Sequence, residues 1–357
     1  MNQAAPTSGF AGLDPDSILT AIEGHLGTYL DGSLVPYNSY VNRVFGVADE
    51  DGNGYIAKFY RPGRWSDEAI LEEHAFLADC AASEIPVVPP IAGSKTSAAN
   101  IAPAEGNTPA ANGTLSASKT PATLGIHEGF RFAVFPRVRA RTFEIERDED
   151  WLRAGRVIGR LHAEGARRKA PHRIRLTPEA TTAKYVEDFL SRGLVHPDIR
   201  DEFTEACEEG LKLVNEAFDG IDPASFIRIH GDFHRGNLLA AGESAPLTVI
   251  DFDDMLTGPA VQDLWLLLPG HLSDSTREIN LLLEGYEEFR EFDRTQLSLV
   301  EPLRLMRQIY FLAWCAVQRE DAGFLARNPD WGGRAFWITE TEDLTTQLAY
   351  LRPAPLY

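Results

Sequence analysis

An apolar run ending on Ile229 delivers His230-Gly231-Asp232; Asn237 stands five residues beyond that Asp, and a second apolar run, Thr248-Val249-Ile250, ends on Asp251. Leu238–Ala240 reads as a strand, residues 241–246 as its turn and residues 247–250 as the return strand. Such a hairpin folds Asp251 back beside Asn237, so two oxygen-bearing side chains distant in sequence become neighbours. A carboxylate that orients a hydroxyl and takes its proton, then an amide oxygen and a second carboxylate that hold Mg²⁺ against nucleotide phosphates, is the order of parts that phosphoryl transfer needs. Asp232 is the candidate base. Asn237 and Asp251 are the candidate Mg²⁺ ligands, since Mg²⁺ takes few protein oxygens and completes its shell with phosphate and water. His230 fits a structural role, its ring tying the loop to the residues around Asp251. Asp253 is open to two readings, a second metal contact or a cap on the following turn.

The amino-terminal part has a different pattern. A helix with Ile18, Leu19, Ile22 and Leu26 on one side ends near Gly27. Strands are predicted over 40–47 and 55–60, joined by the Gly- and Asp-rich turn 49–54, and a helix follows over about 66–82, stopping before Ile85-Pro86. Lys58 lies on the face of its strand opposite Ala57 and Phe59, where a lysine usually meets solvent, and the downstream motif makes it a candidate phosphate contact. Such a lysine needs an acidic partner to hold it. Glu73 lies on the buried side of the helix, three residues after Ile70 and four before Leu77, whereas Glu72 is rotated away. The turn Asn38-Ser39-Tyr40-Val41-Asn42 lacks a glycine-rich phosphate loop, so Ser39 and nearby backbone N–H groups would have to serve, and a plain turn explains it equally well.

Residues 92–126 are almost wholly Ala, Ser, Thr, Gly, Pro and Asn and have too little to bury to offset the entropy of ordering, so an exposed loop is expected there. A strand resumes at 130–135, and Pro136 marks a hinge. From Trp151 onward the pattern is helical, with candidates over 151–165, 178–192, 198–218, 260–268, 277–292 and 299–318. At 357 residues, 44% of them apolar, the chain suits two lobes: residues 1–136 for the nucleotide and 137–357 for catalysis and substrate. The expected fold class is α+β and bilobal, with a small antiparallel-sheet lobe and a larger, mainly helical one. Thirty-four basic against 53 acidic residues give a net charge of −19, which argues against nucleic acid or an anionic membrane as partner. Cys80, Cys207 and Cys315 lie far apart and read as core residues in a reducing cytoplasm. No run suggests a signal peptide or a membrane span.

Taken together, Asn42-Arg43-Val44, Lys58-Phe59-Tyr60-Arg61-Pro62, Ile70-Leu71-Glu72-Glu73-His74, His230-Gly231-Asp232 to Asn237 and Gly258-Pro259-Ala260-Val261-Gln262-Asp263-Leu264-Trp265 resemble the aminoglycoside phosphotransferase and choline kinase group of protein-kinase-like enzymes. The similarity runs through nearly the whole chain and is closest to a bacterial branch of serine/threonine protein kinases linked to stress. The resemblance implies a protein-kinase-like fold and ATP- and Mg²⁺-dependent transfer to Ser/Thr hydroxyls of proteins by a cytoplasmic monomer. It gives Asp232 the role of proton acceptor, makes Asn237 and Asp251 the magnesium ligands, places Ser39 in the ATP site, and has Asp263 anchor the catalytic loop from a helix. Phe252-Asp253-Asp254 departs from the Asp-Phe-Gly of ordinary protein kinases, so activation-loop switching does not carry over. The same apparatus serves small hydroxyl acceptors such as aminoglycosides, choline or homoserine. A catalytically dead nucleotide-binding scaffold has no need to keep Lys58, Asp232, Asn237 and Asp251 together. Glu284, Glu287, Glu288 and Glu291 could equally contact a basic peptide or face water, and the expected acceptor is a generic basic protein such as myelin basic protein rather than an aminoglycoside, choline or homoserine.

Overall fold

The computed structural model describes residues 9–10, 12–37, 39, 41–94, 122–242, 245–319 and 322–352. Residues 95–121, most of the expected low-complexity loop, lie outside them. Two compact units are present: residues 1–78 with 88–139, and residues 79–87 with 140–357.

In the first unit, helix α1 (Pro15–Leu26) starts where the Asp14 carboxylate accepts a hydrogen bond from the Ser17 N–H at 2.8 Å, and it ends at Gly27, whose φ of 72° is left-handed. Five strands follow the α1 turn: β1 (Val35–Tyr37), β2 (Arg43–Ala48), β3 (Gly54–Phe59), β4 (Gly125–His127) and β5 (Phe130–Pro136), in the antiparallel order β1-β2-β3-β5-β4. The turn at 49–54 makes β2 and β3 a hairpin with Val44 opposite Lys58. Ile18 and Ile22 of α1 pack on Val47, Ala57, Phe59, Phe132 and Val134, which is why the apolar side of α1 is needed. Helix α2 (Asp67–Ala82) has Asp67 and Glu68 in its first turn, where the helix dipole favours anions. Strand β1 was not foreseen, because three exposed residues carry no alternation of polar and apolar side chains. The strand expected over 40–47 begins only at Arg43.

The second unit is mostly helix. It comprises β6 (Arg141–Thr142), α3 (Asp148–Gly165), α4 (Thr182–Ser191), α5 (Arg200–Asp219), β7 (Ile227–Ile229), β8 (Leu238–Ala240), β9 (Leu247–Val249), β10 (Leu256–Gly258), α6 (Val261–Trp265), α7 (Thr276–Glu287), α8 (Val300–Gln318), α9 (Ala322–Arg327) and α10 (Arg334–Leu351). The hairpin forms as read, with Leu238 opposite Val249, and β6 pairs to its other side. A second ladder, β7 with β10, closes the segment that leads into His230 against the one that leaves Asp254. Helix α10 escaped the sequence reading because polar Thr341 interrupts its buried stripe of Trp337, Leu344 and Leu348. Trp337 meets Phe203 of α5 edge-on with ring centroids 5.2 Å apart. Helices α3 and α7 approach so closely that a Cβ on Gly155 or Gly285 would run into the facing backbone at Leu282 or Leu152. No helix among the described residues is long and apolar enough to cross a membrane.

Candidate active site

The site in the second unit is built by a loop that the backbone alone could not hold. His230 follows β7, and its N–H donates to Asp263 Oδ2 at 2.7 Å; the Gly231 N–H donates to Asp263 Oδ1 at 2.8 Å. Asp263 sits on α6 with no exposure, and its Oδ2 is also 2.9 Å from His162 Nε2 on α3. One buried carboxylate thus pairs with two backbone donors and an imidazole, which offsets the cost of placing it there. The His162 Nδ1 is 3.2 Å from the Tyr286 hydroxyl of α7, whose own ionisation burial pushes upward. Gln262 Nε2 donates to the Gly231 carbonyl at 3.0 Å. Gly231 takes a φ of 85°, and a Cβ there would collide with the Asp254 carbonyl, so glycine is required on both counts.

The His230 ring is buried, lies 4.6 Å from the Phe252 ring, and its Nε2 is 2.9 Å from the Ile250 carbonyl. That contact spans from the Asp232 loop to the residue before Asp251. Asn237 is brought to Asp251 in a second way, by the Ile250 N–H donating to the Asn237 carbonyl at 3.1 Å. The Asn237 amide nitrogen donates to the Asp232 carbonyl at 2.9 Å, which turns its side-chain oxygen into the acceptor available to a cation. Asp251 itself has φ 60° and ψ 68°, a left-handed conformation that Asp tolerates better than most residues. Such conformations persist where surrounding structure over-determines them. Asp253 is buried, and its carbonyl accepts from Arg173 at 2.7 Å.

Asp232 points elsewhere. Its Oδ1 accepts from Arg307 Nη2 of α8 at 2.8 Å, while His234 Nε2 is 3.5 Å from its Oδ2. Sequence reasoning missed Arg307, His162, Gln262 and Arg173, all of which act on the loop from elements far along the chain.

In the first unit Lys58 Nζ is 3.3 Å from Glu73 Oε1, with side-chain exposures of 8% and 1%. Glu72, the alternative, is partly exposed. The Lys58 ammonium also lies 5.0 Å from the centre of the Tyr60 ring, and Tyr60, His74 and Thr123 continue a polar chain behind it at 3.0 and 2.8 Å. Ser39 Oγ accepts from the Asn42 N–H at 3.3 Å, a local turn bond, and its carbonyl accepts from Arg43 at 3.5 Å. Asn38 and Tyr40 of that turn lie outside the described residues. The three cysteines are buried and unoxidised, and burial raises each thiol to about 12, so none is a reactive thiolate.

The donors brought together here are ones that could hold a divalent cation. Asn237 and Asp251 supply hard oxygens, and among the described residues no three His, Cys, Asp or Glu cluster as a metal cage.

A profile of the phosphotransferase enzyme family matches residues 33–300. Stress response kinase A of Escherichia coli (strain K12) is 35% identical over 356 residues, covering 100% of this chain and 98% of the relative. The serine/threonine protein kinase RdoA of Salmonella typhimurium (strain LT2) is 36% identical over 360 residues, with the same two coverages. Among solved structures, amicoumacin kinase hAmiN, in complex with AMP-PNP, Ca²⁺ and Ami, superposes with a TM-score of 0.69 at 14% identity, covering 94% of each chain. The fold is therefore the two-lobed kinase-like one that the sequence led us to expect, and the chain belongs to the phosphotransferase enzyme family.

Proposed function

We propose that this phosphotransferase moves the γ-phosphoryl group of ATP to Ser/Thr hydroxyls of proteins, with Mg²⁺ bound by Asn237 and Asp251. The observation that carries the reading is the loop held by Asp263 at the His230 and Gly231 N–H groups, in which the Asn237 amide nitrogen bonds the Asp232 carbonyl while the Asn237 carbonyl accepts from the Ile250 N–H, next to Asp251. Asp232 Oδ2 would accept the hydrogen bond of the incoming hydroxyl, align its oxygen on the γ-phosphorus and take its proton as the new P–O bond forms. The metal, when bound, neutralises phosphate charge. Asn237 keeps its oxygen presented because its nitrogen is spent on the Asp232 carbonyl. Lys58, held by Glu73, would contact phosphate oxygens, and Ser39 would lie against the nucleotide. The first unit would then be the nucleotide-binding one and the second the catalytic and substrate-binding one.

The two full-length relatives named for stress response and for serine/threonine protein kinase activity support the protein acceptor and a stress role. The bound nucleotide analogue and divalent ion of amicoumacin kinase support ATP and a divalent metal. The reading includes a cytoplasmic monomer, consistent with three buried free thiols. A small hydroxyl acceptor is the second reading, favoured by the antibiotic kinase among the fold's solved structures. Incubation with Mg²⁺ and γ-labelled ATP against myelin basic protein, casein, an aminoglycoside, choline and homoserine separates the two. Label in phosphoserine or phosphothreonine supports the protein acceptor, and turnover of a small molecule alone reverses the ranking.

The Lys58–Glu73 pair offers its own test. Lys58→Met breaks a buried ion pair and costs about 3–5 kcal/mol of stability, whereas replacing both partners with apolar residues is close to neutral. A Lys58→Met/Glu73→Leu protein should therefore recover the melting temperature yet keep a kcat/KM for ATP lowered by about a hundredfold. Recovery of ATP use along with stability would reduce the pair to a structural bridge.

A further inference from the structure

Among the described residues, Arg307 is the side chain from a distant helix that bonds the candidate base, and neither phosphate binding nor proton transfer calls for it. Its Nη2 donates to Asp232 Oδ1 at 2.8 Å, and its guanidinium carbon stands 5.3 Å from the centre of the Tyr310 ring one turn along α8. A guanidinium carries five N–H donors. Only one is used by Asp232. The Arg307 side chain is 35% exposed and that of Asp232 19%, so both remain open to an incoming molecule. His234, 3.5 Å from the other Asp232 oxygen and 45% exposed, places an imidazole nitrogen beside the carboxylate.

The charge of Arg307 is balanced by Asp232, so what the pair offers an incoming acceptor is the guanidinium's further N–H donors, placed beside the candidate base. Of the four acids Glu284, Glu287, Glu288 and Glu291, two are already paired. Glu287 pairs with Arg294 at 3.0 Å and Glu288 with Arg156 at 2.9 Å. Planar guanidinium donors in reserve are suited to carboxylate or phosphate, and such charge-assisted bonds discriminate strongly against a like charge.

Building on the protein-acceptor reading above, we propose that Arg307 is a specificity-determining residue, which steadies Asp232 with one N–H and uses its remaining donors to select a Ser/Thr acceptor flanked by an anionic side chain. The hydroxyl proton still passes to Asp232 Oδ2, and Arg307 neither gains nor loses a proton. Phe311, exposed one turn beyond Arg307 on the same helix face, would lie along the same acceptor segment.

The test uses the full-length protein and four serine peptides identical except for the residue next to the acceptor: Glu, phosphoserine, Ala or Lys. Wild type should favour the Glu or the phosphoserine peptide over the Lys peptide by about tenfold or more in kcat/KM, and the better of the two identifies the anion. Arg307→Gln should flatten that ratio while its melting temperature stays near wild type, and Arg307→Lys should restore part of it. Added guanidinium should rescue Arg307→Ala on the anionic peptides only. A purely structural arginine would change all four rates together and leave the ratio intact, which overturns the proposal, as does wild-type preference for the Lys peptide. Transfer to no peptide, with small hydroxyls phosphorylated instead, defeats the protein-acceptor reading; a hydroxy acid compared with an amino alcohol of equal length then decides Arg307, and preference for the amino alcohol overturns it.

Discussion

Asp251→Ala should abolish phosphoryl transfer while leaving the protein folded. Asp251 stands two residues beyond the return strand of the hairpin, exposed and following Ile250, whose N–H bonds the Asn237 carbonyl, and under the proposed function its carboxylate would hold a divalent ion against phosphate. Its loss should remove the Mg²⁺ dependence of nucleotide binding as well as turnover. The backbone adds a complication that can be controlled. Alanine in a left-handed conformation costs about 1–2 kcal/mol relative to a residue that tolerates it. Asp251→Gly, free of that cost, should match the wild-type melting temperature and be equally inactive. Near-normal kcat in either variant, read as labelled phosphate transferred per minute, would remove Asp251 from the metal site.

Asp263→Ala should be the most damaging change to stability in the second unit. It removes a fully buried carboxylate and leaves the His230 and Gly231 N–H groups and the His162 ring without their partner. Each of these buried groups left unsatisfied costs about 1–3 kcal/mol. A fall in melting temperature of about 10 °C follows for a unit of this size. Asp263→Asn keeps one acceptor oxygen and should lose less. Activity should fall with both, since the loop bearing Asp232 is held from this one side chain. Calorimetry of the two variants checks the order. A melting temperature unchanged in Asp263→Ala would mean that the three hydrogen bonds do not hold the loop.

What the sequence made legible was local. The β8–β9 hairpin follows from two short apolar runs and a turn, and Glu73 rather than Glu72 follows from helical phase within sixteen residues of α2. What it hid was long-range. His162 meets Asp263 across 101 residues and Arg307 meets Asp232 across 75, and a lone His or Arg on an amphipathic helix gives no sign of which loop it will reach. The β7–β10 ladder was invisible for a related reason: three-residue strands are fixed by the partners they find, not by a pattern of their own. Glu284, Glu287, Glu288 and Glu291 read equally well as contacts for a basic peptide or as groups facing water, and helical phase gave no sign that Glu288 would meet Arg156 across 132 residues.

The candidate base is tested most directly by Asp232→Asn. Asparagine keeps the size of the side chain and an oxygen for Arg307 but cannot take the hydroxyl proton. In a single-turnover assay with saturating ATP and Mg²⁺, transfer to a protein acceptor should be slower by about a hundredfold or more, with the dissociation constant for ATP within a few-fold of wild type. Transfer at the wild-type rate by the Asp232→Asn protein would contradict the role of Asp232 as the base.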